Sequence, residues 1–310
     1  MKNLIKFEQS GAVDVRAATG ERTSQQHTPP ERPDTVLLSI NEPFFLAPAA
    51  STAYFSRGPE PGTDSLVKPP SEPILNVPAV VSVTVGALVL VHAVRTLLLT
   101  PDQDFNFLLE FAFIPARYSQ ASLEALPGGW GAYVWTFVTH AFIHADVVHL
   151  GVNIAWLLPF GSAVARRFGP IRFLALFAVA SAAGAFAHLF THWDEPVALI
   201  GASGGISGLM AAAIRFVFVR GGPLHLWGRR DFEAYQVPAA SLLDSLRDAR
   251  VLAFLAVWFG LNLLFGTGTV EMAGVGQTIA WQAHIGGFAA GLFLFKFFDP
   301  VSDPGATQHP

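Results

Sequence analysis

The sequence predicts an all-α polytopic membrane protein with six transmembrane helices. Of its 310 residues, 52% are hydrophobic and 14% are charged, whereas about a quarter of the residues in a soluble domain are charged. The apolar residues after position 75 form six runs close to the about 17 to 25 residues that span a bilayer. Lysine and arginine lie mainly in the loops on one side of these runs. This composition does not fit a water-facing globular protein.

The chain begins with a segment, residues 1–75, that differs from the rest. It holds ten of the 22 prolines, in runs such as Pro29-Pro30 and 68–73. Such a segment cannot bury enough apolar surface to offset the entropy lost on ordering. We therefore predict a largely disordered cytoplasmic tail (1–75), a membrane domain (76–299) and a short C-terminal tail (300–310). The first residues lack the apolar core and cleavage site of a signal peptide.

Six apolar runs define the predicted membrane domain. The fifth is short for a span and is expected to borrow residues from its flanks. The runs are 77–99, 147–164, 171–190, 201–219, 251–265 and 281–298.

The distribution of charge predicts the orientation of these helices. Arg166, Arg167 and Arg172 join the second and third runs, and further arginines lie between the fourth and the fifth. Cytoplasmic loops carry an excess of such cations. Both termini are therefore predicted to be cytoplasmic, in a multi-pass protein of a bacterial inner membrane. Arg95, near the outer end of the first run, departs from the rule and is expected to snorkel to the interface. The opposite loops are acidic and carry Asp102, Asp104, Asp194, Glu195 and Glu271.

The composition excludes several functional classes. The chain has no cysteine, which excludes a disulfide framework, a thiolate zinc site and a cysteine nucleophile. Its net charge is −4 and its cations are dispersed, so no nucleic-acid partner is expected. The expected environment is the lipid bilayer.

Polar residues inside transmembrane runs are costly and therefore mark candidate functional sites. Four of them lie toward the outer ends of the second, fourth and sixth runs: His149, Asn153, Ser203 and His284. His149 and Asn153 are four residues apart and share a helix face. At 1.5 Å per residue, Ser203 lies roughly 26 Å above the arginine at position 220. The four side chains are therefore predicted to converge just below the outer surface.

These four residues are suited to acyl transfer. A serine hydroxyl needs an adjacent base, and His284 is the candidate for Ser203. The first backbone N–H groups of a helix that starts at Ser203 favour a developing oxyanion, and His149 and Asn153 would add donors. Because the second, fourth and sixth runs contain no Asp or Glu, a Ser-His dyad without an acidic third member is expected. Asn262 in the fifth run is predicted to bond a neighbouring helix.

Small residues would allow the serine and histidine helices to approach each other. Gly204 and Gly208 are spaced four apart on one helix, and Gly287 and Gly291 are spaced likewise on the other. Such spacing places small residues on one face and permits close backbone contact. Together with Gly201, these glycines are predicted to pack the helices together.

The same motifs resemble those of rhomboid intramembrane serine proteases. The resemblance lies in Gly201-Ala202-Ser203-Gly204, in Ala283-His284 followed by Gly287-x-x-x-Gly291, and in His149-x-x-x-Asn153. It extends over residues 77–298 and includes the segment 140–144. It implies cleavage of transmembrane substrate proteins near the membrane surface, without metal or cofactor, with small residues before the cut and locally unstable substrate helices. Ser203 would be the nucleophile, His284 the base, and His149 and Asn153 the oxyanion donors.

The sequence also leaves alternatives open. Ser207 repeats the Gly-x-Ser-Gly pattern one turn deeper, where the rhomboid family usually has an aromatic residue, so it is a rival nucleophile. Gly201-x-Ser203-x-Gly205 also matches the nucleophile elbow of soluble hydrolases, but the strand-turn-helix context is missing. Two other functions remain: a catalytically inactive rhomboid-like protein that binds transmembrane segments, and a metal-ion or proton transporter. The transporter would use the paired histidines His140, His144, His188 and His192.

Overall fold

The computed structural model describes residues 6–9, 77–119, 126–224, 232–266 and 280–301. The described residues are mainly helical. The α-helices are α1 (Ala79–Leu97), α2 (Pro101–Phe111), α3 (Gly129–Thr139), α4 (Val147–Thr191), α5 (Ser203–Ala213), α6 (Leu242–Ser245), α7 (Ala249–Gly266) and α8 (Trp281–Phe298). Short 3-10 helices span Pro115–Tyr118, His140–Phe142 and Phe232–Tyr235, and the two strands are β1 (Lys6–Gln9) and β2 (Val197–Ile200).

Helix α5 is the centre of the bundle and lies between α4 and α8. Every residue from Gly204 to Ala213 is buried. Most of these residues are glycine or alanine, which lets the flanking helices approach the α5 backbone. The helix that begins at Ser203 is therefore enclosed by protein rather than by lipid.

Helix α4 is two helices joined at Gly169, where φ is +75° and the backbone is not helical. Glycine adopts this positive φ without the steric cost that a Cβ would add. Pro170 follows it and suits the first position of the second half, because proline has no N–H to leave unbonded there. The break separates the predicted second run from the third.

The six apolar runs all contain helix, but the helices differ in length. Within the described ranges, two helices are long and apolar enough to cross a membrane, namely α1 and the 45-residue α4, and α7 contains a shorter apolar helix. Helix α5 ends at Ala213, earlier than the predicted run 201–219. Just beyond its end, the Arg215 guanidinium Nη2 donates to the Ala240 carbonyl at 2.8 Å. The number of membrane crossings stays a prediction.

Large apolar side chains cover the outward faces of the long helices. Phe190 of α4 is 81% exposed and Phe297 of α8 is 71% exposed. A continuous apolar surface of this kind would associate or aggregate in water, whereas hydrocarbon accommodates it without cost. The exposed apolar residues of these helices include Val83, Leu90, Phe186, Leu263 and Phe293.

The loop at 100–130 contains structure that the apolar runs did not predict. It holds α2, a 3-10 turn and the start of α3. Arg117, which is 1% exposed, donates to the carbonyls of Leu109 and Pro127. Phe113 exchanges two backbone hydrogen bonds with Leu199 of β2, at 2.7 and 3.1 Å. The loop is thereby attached to the strand that leads to Ser203.

Within the segment predicted to be a disordered tail, the structure describes only β1. It pairs in parallel with β2, with Lys6 opposite Val197 and Gln9 opposite Ile200. This short strand differs from the prediction of disorder at those four positions. The rest of 1–75, and most of the predicted C-terminal tail (300–310), lie outside the described residues.

Candidate active site

The turn before α5 presents Ser203 at the first position of the helix. Gly201 has φ +117°, a conformation that favours glycine and forms this turn. Its part in packing the helices stays a prediction. Its N–H donates to the His140 carbonyl at 2.9 Å. The N–H of Ala202 donates to His144 Nε2 at 3.4 Å. No side chain caps α5, so its first N–H groups face the region beside Ser203.

A buried polar network holds the His144 segment in place. The His144 carbonyl accepts hydrogen bonds from Arg95 Nη1 at 2.8 Å and from His92 Nδ1 at 3.3 Å. Arg95 also forms an ion pair with Asp104 at 2.7 Å. The expectation that Arg95 snorkels to the interface is therefore wrong, since it is 6% exposed and joins α1 to α2. The only sequence signal that Arg95 bonds within the protein was its position one helical turn from another polar residue, His92.

Burial keeps the two histidines of this segment neutral. It lowers the pKa of His140 from 6.5 to about 4, although the bond from the ring to the Thr136 carbonyl opposes the shift. Burial also lowers the pKa of His144 well below 6.5, and the nearby His149 contributes in the same direction. A neutral His144 retains the lone pair that accepts the Ala202 N–H.

Helix α8 meets α5 along the predicted glycines. A Cβ built at Gly287 would overlap the carbonyl oxygen of Gly204, and one built at Gly291 would overlap that of Gly208. Gly204 itself has room for a Cβ, 3.5 Å from the Ala283 carbonyl oxygen. Ala283 immediately precedes His284, so the histidine lies at the contact between the two helices.

His149 and Asn153 approach the same place from α4. Asp146 caps α4 by accepting the N–H of His149 at 2.8 Å. Asn153 is buried and donates one amide hydrogen to the His149 carbonyl at 2.9 Å, so its second hydrogen remains for another acceptor. His149 lies near enough to His284 for the two rings to interact electrostatically. His149 therefore lies close to the predicted base, and Asn153 bonds the backbone carbonyl of His149.

The rival nucleophile Ser207 has a different environment. Its hydroxyl donates to the Ser203 carbonyl at 2.7 Å, a bond to its own helix of the kind that a transmembrane serine usually makes. It is 3% exposed and lies one turn farther along α5. Ser203 occupies the first turn, where the uncapped N–H groups are.

Sequence reasoning placed Asn262 between helices but missed its partner. Asn262 Oδ1 lies 2.5 Å from His284 Nδ1. The predicted dyad rested on the lack of carboxylates in the second, fourth and sixth runs, whereas this amide comes from the fifth. The available signal was a single polar residue in an otherwise apolar helix.

The other paired histidines show no metal centre. His188 and His192 stack with ring centroids 4.3 Å apart, and His188 Nε2 lies 3.3 Å from the Val197 carbonyl oxygen. No group of three His, Cys, Asp or Glu residues that could hold a metal ion occurs in the part of the chain that the structure describes.

These features together define a helical membrane domain with a serine and a histidine at a glycine-lined helix contact, and sequence comparison identifies its family. The family profile described as Rhomboid domain matches residues 131–298, more than half of the chain. The protein belongs to the rhomboid family.

Curated relatives agree with this assignment. The chain is 27% identical over 166 residues to rhomboid protease GlpG of Haemophilus influenzae, covering 54% of this chain and 70% of that one. It is 25% identical over 226 residues to rhomboid protease GlpG of Yersinia pestis (strain Pestoides F), covering 73% of this chain and 65% of the relative. The match to the Yersinia protein thus spans less than two thirds of its length.

Proposed function

We propose that this protein is an intramembrane serine endopeptidase that cleaves transmembrane proteins near the outer membrane surface with Ser203 and His284. The observation that carries the proposal is the close contact of α5 and α8, which brings together the first turn of one helix and the first turn of the other. Ser203 and His284 lie in those turns. A nucleophile and a base on two tightly packed helices satisfy the first requirement of acyl transfer.

In the proposed reaction, Ser203 Oγ attacks the scissile carbonyl while its proton passes to His284 Nε2. This nitrogen is buried and makes no hydrogen bond to the described residues, so its lone pair is not consumed by another donor. The imidazolium then gives its proton to the leaving amine. Water then attacks the acyl-enzyme while His284 takes a proton from it. His284 returns that proton to Ser203 Oγ as the ester bond breaks.

The negative charge on the substrate oxygen would be stabilised at the uncapped start of α5. The first backbone N–H groups of α5, the second amide hydrogen of Asn153 and the ring of His149 are the proposed donors. Such donors act strongly where water is excluded, and each contributes roughly 10² to 10³ in kcat. No step requires a metal or a cofactor.

The substrate would reach this site from the bilayer. The large apolar side chains of α1, α4, α7 and α8 are exposed and would face lipid, the environment of a transmembrane segment. We propose substrates with small residues before the cut and locally unstable helices, because the scissile peptide must leave its helix before Ser203 can attack it. We further propose that both termini face the cytoplasm of a bacterial inner membrane.

Cleavage of a fluorescent transmembrane substrate by detergent-purified protein tests the proposal. We expect Ser203→Ala to abolish cleavage and Ser207→Ala to retain it. A fluorophosphonate probe, which reacts only with an activated serine, should label the wild type and Ser207→Ala but not Ser203→Ala. Wild-type cleavage that persists in Ser203→Ala would refute the assignment of the nucleophile.

The same assay separates the other two functions. An inactive protein that binds transmembrane segments would neither cleave nor react with the probe, yet would retain substrate on pull-down. A transporter that uses the paired histidines would move ions into liposomes, and His140 or His188 variants would damage that flux while Ser203→Ala would not.

A further inference from the structure

Two antiparallel contacts set the register between α7 and α8. Trp258 stacks on Phe288 with ring centroids 4.8 Å apart, and Asn262 meets His284. The second contact lies four residues later on α7 and four residues earlier on α8, which is one helical turn along both helices. The aromatic stack and the Asn262–His284 contact therefore lie one turn apart on the same α7–α8 interface.

The amide of Asn262 has one allowed orientation. Asn262 Nδ2 donates to the Trp258 carbonyl of its own helix at 2.8 Å, and a carbonyl oxygen can only accept. Rotating the amide by 180° would place Oδ1 against that carbonyl and Nδ2 against the ring, which loses the first bond. The group that faces His284 is therefore Oδ1, an acceptor.

An acceptor at this position determines the tautomer of His284. Because Oδ1 cannot donate, His284 Nδ1 must carry the hydrogen, and in a neutral imidazole the other nitrogen then has the lone pair. That other nitrogen, Nε2, is buried and makes no hydrogen bond to the described part of the chain. The opposite tautomer would leave the ring unable to accept a proton at Nε2.

We infer that Asn262 is a positioning residue that holds His284 as the Nδ1–H tautomer and so keeps Nε2 available to take the proton of Ser203. The inference rests on the proposed function and adds a third member to the predicted Ser-His dyad. When Nε2 accepts the proton, the imidazolium keeps its Nδ1–H···Oδ1 bond, so Asn262 does not change its own protonation in any step. Asn262 is 7% exposed, and this partner also satisfies its polar group at a depth where an unbonded amide is costly.

The test compares two replacements of similar size. Asn262→Leu removes the acceptor, and Asn262→Asp retains an oxygen acceptor. We expect Asn262→Leu to lower kcat for the fluorescent substrate roughly 10- to 100-fold, less than the roughly 10²- to 10⁴-fold contribution of a general base itself, and to change KM less than about threefold. Asn262→Asp should recover most of the kcat. A carboxylate beside the imidazolium should also shift the acidic limb of the kcat/KM profile to higher pH. Among the described residues, the titratable group that faces His284 from another helix is His149, which is unchanged in both variants.

A packing control uses the neighbouring contact. Trp258→Leu weakens the same α7–α8 interface but leaves the backbone carbonyl that Asn262 bonds. We expect it to lower the melting temperature at least as much as Asn262→Leu while keeping the wild-type pH profile. If Asn262→Leu is too unstable to purify, the kcat/KM pH profile of Asn262→Asp is compared with that of the wild type. An unshifted acidic limb would overturn the role of Asn262.

The outcomes separate the two proposals. In one outcome, the wild type cleaves the substrate and reacts with the probe while Asn262→Leu keeps the same kcat and pH profile. That result would overturn the role of Asn262 but not the proposed function. The role is overturned likewise if Asn262→Asp is no more active than Asn262→Leu. A wild type that neither cleaves nor reacts with the probe would overturn the proposed function, and this inference with it.

Discussion

Arg167 and Asp299 form a two-pronged ion pair that joins the end of the first half of α4 to the residue after α8. Nε and Nη2 of the arginine each lie 2.8 Å from one carboxylate oxygen. Arg167 Nη1 also donates to the carbonyls of Tyr235 and Val237, at 2.8 and 2.7 Å. One side chain therefore holds two helices and the loop between α5 and α7 together.

We expect Arg167→Met to destabilise the protein by about 3 to 5 kcal/mol. The arginine side chain is 0% exposed and the aspartate side chain 8% exposed, and removing one partner of a buried pair leaves an uncompensated charge. Thermal unfolding in detergent measures the change. Arg250→Ala is the matched control, since its side chain is 43% exposed in the pair with Asp248. It should change stability by at most about 1 kcal/mol. Equal losses of stability in the two variants would contradict the assignment of Arg167 to a stabilising buried ion pair.

A methyl group at Gly287 should separate the two helices that carry the proposed nucleophile and base. Its Cβ would overlap the Gly204 carbonyl oxygen, and backbone cannot give way as a flexible side chain can. We expect Gly287→Ala to cost about 1 to 3 kcal/mol and to lower kcat by more than about tenfold through the displacement of His284. Gly260→Ala on α7 is the control, because a Cβ there meets nothing within 4 Å. Wild-type activity in Gly287→Ala would show that the tight contact is not needed.

The proposed oxyanion donors predict a loss in kcat rather than in binding. We expect Asn153→Ala and His149→Ala each to lower kcat roughly 10² to 10³-fold with little change in KM, because these bonds strengthen as charge develops on the substrate oxygen. Steady-state kinetics with the transmembrane substrate measures both constants. Thr84→Val on α1 removes an own-helix bond of the same kind, 2.8 Å to the Val80 carbonyl, and should be neutral in kcat. A rise in KM at constant kcat would place Asn153 in ground-state binding instead.

Acid should destabilise the fold through the buried histidines. The pKa of His140 is lowered by burial to about 4 and that of His144 is lowered well below 6.5 by the same cause. As the pH falls below about 6.5, the unfolded chain therefore binds protons that the folded chain does not. Stability should fall by about 1.4 kcal/mol per pH unit for each histidine until the folded-state pKa is reached.

Melting temperatures between pH 8 and pH 4.5 check the direction of this effect. The curve should be nearly flat above pH 7 and fall below it, and His140→Gln should fall less steeply than the wild type. Stability that rises toward acid pH would contradict the burial of these histidines in the neutral form.

Membrane topology can be read from single cysteines, because the natural chain has none. The charge distribution predicts that an impermeant maleimide labels Glu195→Cys in intact cells or spheroplasts and Arg247→Cys only after permeabilisation. Both positions are exposed. Labelling of both from the same side would refute the six-helix arrangement.

Glu8→Cys addresses the pairing of β1 with β2. Arg95, near the end of α1, donates to the His144 carbonyl in the segment that supports Ser203. The first residue of α1 lies roughly 24 Å from Arg95 along the helix. Residues 10–76 contain no apolar run of spanning length, so we predict that Glu8 and the start of α1 lie on the same face of the membrane. We therefore expect label only after permeabilisation, with β1 apart from β2 in the inserted protein. Labelling of Glu8→Cys in intact cells would show that the strand stays beside Ser203.

Hydrophobic runs and motif spacing predicted much of this molecule. Helix lies in all six apolar runs, and Gly287 and Gly291 lie against the backbone of α5. Local patterning succeeds there because a helix and its small-residue face depend on residues three or four apart. The loop 100–130 was less predictable, since α2, α3 and the bonds of Arg117 are short or non-local. The positive φ of Gly201 was not predicted either, because a turn glycine and a packing glycine look the same in sequence.

The sequence by itself determined the membrane class, the rhomboid resemblance and the four residues proposed to carry the chemistry, since polar side chains in apolar runs stand out by composition alone. Only the tertiary structure decided what holds those residues. It turned Arg95 inward to Asp104 and His144, paired Arg167 with Asp299 across 132 positions of sequence, and brought Asn262 against His284. Each of these contacts joins two different elements, and the sequence of one element contains no information about which polar group of another will satisfy it. The need for a partner is local, whereas the identity of the partner depends on the fold.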